Sequence, residues 1–67
     1  MIDRVKLARR VQEYRAIKGL SMEKMAELLN VSFVTMFNVE HASEKTREIN
    51  LVKIEVKLNN LEGEKND

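Results

Sequence analysis

The chain has no cysteine, no proline, no tryptophan and one histidine, His41. Without cysteine there is no disulfide framework, no thiolate zinc site and no sulfur nucleophile. A single histidine argues against a histidine metal site or a catalytic triad. Long apolar runs are missing as well: the stretch Val31 to Val34 already contains Ser32, so no segment is expected to span a bilayer. The charged N-terminus has no apolar stretch behind it, so no signal peptide is expected and the expected location is cytoplasmic. There is no Gly-rich phosphate loop, no H-E-x-x-H and no D-x-D-x-D pattern. No pair of carboxylates is placed by spacing beside an apolar pocket. Catalysis, a metal site and a cofactor are therefore not expected. Sixty-seven residues allow one domain, which buries only about 60% of the surface its unfolded chain exposes. That is too little for a deep cleft.

What is present favours helices. Only two glycines interrupt a sequence that is 34% charged and rich in Leu, Glu, Lys, Met and Ala. The overall charge of +1 is low for a nucleic-acid-binding domain. Its distribution is more informative. Residues 1–20 carry Arg4, Lys6, Arg9, Arg10, Arg15 and Lys18 against Asp3 and Glu13, a net of +4. The rest of the chain is slightly acidic. The first helix is thus either a solvated basic face or a face turned to phosphates.

Ile2 to Lys18 reads as a helix, with Leu7, Ala8, Val11, Tyr14 and then Ile17 or Lys18 on one stripe. Gly19 ends it, and Leu20 anchors the connection. Ser21 is a good N-cap for a second helix over Met22 to Leu29, with Glu23 at the positive end of its dipole. Met25, Ala26 and Leu29 point inward. Asn30 tolerates positive φ, Val31 is a buried turn residue, and Ser32 caps a third helix over Phe33 to His41. Ala42 to Arg47 reads as a loop or a short helical turn. Ile49 to Leu61 is the last helix. Its run Ile54-x-Val56-x-Leu58 also fits a strand, but the length and the interleaved Lys and Glu favour helix. It carries more apolar residues than one face needs, and the excess is a candidate partner surface. Residues 62–67 read as a flexible charged tail.

Two short helices joined by a tight turn place demands on particular positions. A steep crossing needs one small residue, and Ala26 is there. The turn needs a left-handed residue, and Asn30 is there. Met25, Leu29, Val31, Met36 and Val39 fill the apolar offsets. Seven constrained positions therefore agree. The segment Leu20-Ser-Met-Glu-Lys-Met-Ala-Glu-Leu-Leu-Asn-Val-Ser-Phe-Val-Thr-Met-Phe-Asn-Val-Glu40 resembles the helix-turn-helix of the Cro and phage-repressor family, also called the Xre family. Upstream, Arg15 and Lys18-Gly19 match the ending of that family's first helix. Downstream, Leu51-Val-Lys-Ile-Glu-Val-Lys-Leu58 is similar to its closing helix.

The resemblance spans about residues 5–61. It implies an all-α, lambda-repressor-like bundle of four to five helices over residues 1–61, with the motif at about 21–41. It implies a DNA-binding regulator of transcription, repressor-like, with helix three in the major groove of double-stranded DNA. Phe33, Val34, Phe37 and Asn38 would then face base edges. Ser21, Met22, Ser32, Lys45 and Arg47 would lie against phosphates. Arg15 and Glu40 would pair to tie helix one to helix three. A homodimer is expected, with Ile49 to Leu61 as its candidate surface.

The chain also departs from the family pattern. Met22 stands where glutamine is usual, Ala42 stands where glycine is usual, and the following proline is absent. The recognition face has no Arg, Lys or Gln. Asn38 alone is suited to a bidentate contact, most naturally with adenine, while Phe33 and Val34 are limited to thymine methyls or steric roles. A second reading is therefore a protein-binding regulator, of anti-repressor or recombination-accessory type, using Phe33, Val34 and Phe37. Plainer roles stand beside each assignment: Phe37 packed inward, Ser21 and Ser32 as caps only, Lys45 and Arg47 as solvated charges, His41 favoured by the helix dipole, and the methionines as core filler.

Overall fold

The computed structural model describes residues 2–63, which form helices α1 (Arg4–Lys18), α2 (Met22–Leu29), α3 (Phe33–Glu40) and α4 (Glu48–Gly63). No strand occurs among the described residues, so the alternating stretch Ile54 to Leu58 is helical. Residues 64–67, most of the stretch read as a charged tail, lie outside the described residues. Glu62 and Gly63 belong to α4.

Local chemistry explains most boundaries. The Asp3 carboxylate accepts from the Lys6 N–H at 3.0 Å and caps α1, which places Ile2 before the helix rather than in it. Ser21 Oγ accepts from the Lys24 N–H, and Ser32 Oγ from the Thr35 N–H, each at 3.1 Å. These bonds satisfy amides that the first turns of α2 and α3 leave without partners.

The first three helices all close in one way. A left-handed residue follows, directly after α1 and α2 and one residue later after α3, and two backbone bonds cross back over the last turn. After α1 these run from Leu20 N–H to Arg15 O at 2.9 Å and from Gly19 N–H to Ala16 O at 3.2 Å. After α2 they run from Val31 to Ala26 and from Asn30 to Glu27. After α3 they run from Ser43 to Asn38 and from Ala42 to Val39. The left-handed residues are Gly19 (φ 65°), Asn30 (φ 59°) and Ala42 (φ 52°). The third is an alanine in a conformation that Cβ disfavours.

The α1 helix packs on α3 and α4, and α2 packs on the same two. Their shared core is Leu7, Ala8 and Val11 of α1, Met25, Ala26 and Leu29 of α2, Met36 and Val39 of α3, and Leu51, Ile54 and Leu58 of α4. Tyr14, Leu20, Met22, Val31 and Leu61 border it. Ile17 does not continue the α1 stripe and is 82% exposed. The chain turns at Gly19, and Leu20 rather than Ile17 supplies the last apolar contact of this end. Lys18 lies over the Tyr14 ring, its Nζ 5.9 Å from the centroid.

Candidate functional site

The most apolar exposed surface of α3 is built from two rows at four-residue spacing. Phe33, Phe37 and His41 form one row, and Val34 and Asn38 form the other. Phe33 is 51% exposed, Val34 67% and Phe37 46%. Phe37 therefore does not enter the core. Its ring stacks on His41, with centroids 4.0 Å apart and planes 23° apart. The His41 Nδ1 lies 2.8 Å from the Phe37 carbonyl oxygen, which holds the imidazole flat along the helix end. Asn38 is half-buried. Behind this face Met36 and Val39 are fully packed, so the face is presented on a rigid support.

Phe33, Val34, Phe37 and Asn38 carry no formal charge. Glu40 is the one carboxylate of α3, and it is buried. Arg15 Nε donates to Glu40 Oε2 at 2.8 Å, and Arg15 Nη2 donates to Oε1 at 3.1 Å. The same guanidinium donates to Leu20 O at 3.3 Å. Gln12 Nε2 donates to the Glu40 carbonyl at 2.6 Å. This planar two-bond pair fixes the end of α3 against α1 and removes the Glu40 charge from the surface.

One cation of α1 reaches the C-terminal end of α3. Arg9 lines a shallow hollow with Gln12, His41 and Ala42. Nothing in sequence spacing points from Arg9 to α3, because the juxtaposition depends on how α1 crosses it. Lys45 and Arg47 are exposed in the connection to α4, where Glu44 is exposed beside them. That connection is held from α1: Arg4 Nη1 donates to Ser43 O at 3.0 Å and to Thr46 O at 2.7 Å. Arg4 thus positions the segment that carries Lys45 and Arg47. Neither of these two residues, nor Arg9, forms an ion pair among the described residues.

The remaining residues singled out in the sequence have local roles. Ser21 and Ser32 accept cap bonds through Oγ, and Ser32 Oγ also donates to Thr35 Oγ1 at 3.0 Å. The Met22 side chain is half-buried against the core at the start of α2. On α4, Leu51, Ile54 and Leu58 are buried and Leu61 borders the core, while Ile49, Val52 and Val56 form an outward stripe. Val52 and Val56 share a groove of about 450 Å³ with Val31, Lys53 and Lys57. Among the described residues no three His, Asp or Glu side chains come together as a metal site, and no helix is long and apolar enough to cross a membrane. Comparison with family models, with curated proteins and with solved structures finds no match to this chain.

Proposed function

We propose that this chain is a sequence-specific DNA-binding regulator of transcription, a helix-turn-helix protein of phage-repressor type that inserts α3 into the major groove. One observation carries the reading. Two eight-residue helices, α2 and α3, are joined by a three-residue turn whose first residue, Asn30, is left-handed, and α3 keeps one face clear of the core. A helix about 10–12 Å across fits a groove about 12 Å wide. Arg9, Lys45 and Arg47 would flank it as phosphate contacts, and Asn38 would read adenine. The Arg15–Glu40 pair fixes the pitch of α3 and so the register of those contacts.

An α3 of eight residues is about 12 Å long and reaches only three or four base pairs. Useful affinity therefore calls for two copies. The outward stripe Ile49, Val52 and Val56 is the surface an isologous α4 pair would bury. Sedimentation equilibrium of Val52→Asp beside the parent chain tests this. A dimer that survives the substitution rules the stripe out.

The DNA reading is tested by fluorescence anisotropy with the labelled promoter region adjoining the protein's own gene. Binding should exceed that to a scrambled duplex and should weaken steeply between about 50 and 200 mM salt. Asn38→Ala, or charge reversal at Lys45 and Arg47, should reduce it. The three exposed apolar side chains of α3 favour one other reading, a protein-docking regulator. Under that reading DNA shows no preference, partner binding is insensitive to salt, and Phe33→Ser abolishes it.

A further inference from the structure

If α3 occupies the major groove, as proposed above, its side chains restrict what it reads there. Phe33, Val34 and Phe37 are the exposed apolar residues of the face, and none of them donates or accepts a hydrogen bond. Base edges in the major groove offer donors and acceptors at every pair, and one apolar group, the C5-methyl of thymine. An apolar side chain laid over guanine, cytosine or adenine edges strips their water and returns no hydrogen bond. Over a thymine methyl the same side chain buries apolar surface on both partners.

The electrostatic setting suits the same ligand. The one carboxylate of α3 is buried against Arg15, and Arg9 lines a hollow with His41 at the end of the helix, while Lys45 and Arg47 follow in the connection, with Glu44 and Glu48 exposed beside them. An uncharged apolar strip with Arg9, which forms no ion pair among the described residues, at its His41 end matches methyl groups lined by phosphates. We infer that this chain is a thymine-methyl reader: Val34 and the Phe33–Phe37 row select sites by the C5-methyl groups of thymine, and Asn38 adds an adenine contact beside them. Discrimination is then two-sided. Methyls attract the strip, and bare polar edges repel it.

The test is a selection from two random-sequence duplex pools, one copied with thymidine and one with deoxyuridine, which differ only in that methyl. The thymidine pool should yield a thymine-bearing consensus. Replacing a contacted thymine in that consensus by uracil should weaken binding about fourfold per methyl. Val34→Ser, at an exposed position that leaves the core untouched, should make thymine and uracil versions bind alike at that contact. Equal, salt-sensitive binding of both pools, with a consensus indifferent to uracil, overturns the methyl inference and leaves the DNA reading standing. No binding to either pool at low salt removes the DNA reading, and this inference with it. A third pool contains deoxyuridine in place of thymidine and 5-methylcytosine in place of cytosine. A consensus recovered there at methylated G·C pairs, with no thymine-dependent consensus from the thymidine pool, would overturn the assignment to thymine.

Discussion

Ala42 holds φ 52°, the left-handed region, at the close of α3. Its backbone N–H donates to Val39 O, and that of Ser43 donates to Asn38 O at 2.9 Å. Both bonds require this conformation, so the chain accepts the strain of an alanine there. A left-handed L-residue costs roughly 1–2 kcal/mol. Glycine removes that strain but frees the unfolded chain by about 0.5–1 kcal/mol. Ala42→Gly should therefore stabilise the protein by about 0.5–1 kcal/mol, a rise in Tm of about 3–6 °C for a domain of this size. Gly19 provides the control. Its φ is 65°, and a Cβ added there meets nothing within 4 Å. Gly19→Ala should accordingly lower stability by about 1 kcal/mol for conformational reasons alone. Thermal melts followed by helical circular dichroism read both. A Tm for Ala42→Gly at or below that of the parent, with Gly19→Ala unchanged, would refute the strain argument.

Three further outcomes are expected. Arg15→Met leaves the buried Glu40 carboxylate without its partner and should destabilise by about 3–5 kcal/mol. The double variant Arg15→Met/Glu40→Leu should recover much of that loss, and a double-mutant cycle by denaturant titration would show no coupling if the pair contributes nothing. The Thr46 hydroxyl is buried without a hydrogen-bond partner, so Thr46→Val should be neutral or stabilising by about 1 kcal/mol; a loss of stability in chemical denaturation would mean the hydroxyl is satisfied. Arg4→Met releases the Ser43 and Thr46 carbonyls and should speed limited proteolysis within residues 41–47. Cleavage at the parent rate would remove Arg4 from its positioning role.

Much of the local architecture was legible because its causes act within a few residues. Ser21 and Ser32 cap amides three positions ahead, and Gly19 and Asn30 close helices through bonds that span one turn. The inward positions Met25, Ala26, Leu29, Met36 and Val39 follow from helical periodicity. Asp3 was legible by the same rule, yet the run beginning at Ile2 obscured it. The excess of apolar residues on α4 was visible too, since seven of them cannot share one face. Their division into buried Leu51, Ile54 and Leu58 and exposed Ile49, Val52 and Val56 follows the helix register.

Other features depend on how helices meet. Ile17 fits the α1 pattern, but no neighbouring helix covers its side of α1, and it faces solvent. Phe37 has the hydrophobicity of a core residue, yet it lies over His41 because Met36 and Val39 already fill the space beneath α3. Arg9 and Arg4 look like any surface arginines until the crossing of α1 sets one beside His41 and the other under the connection that bears Lys45 and Arg47. Ala42 is the sharpest instance. Alanine does not choose a left-handed backbone, and the conformation is imposed where the Arg15–Glu40 pair and the Arg4 hydrogen bonds fix the chain on either side. Periodicity and capping, which are short-range, were thus settled by the sequence alone. Exposure, strain and the gathering of charges around α3 arise from contacts between residues far apart along the chain, and the packing of the helices decided them.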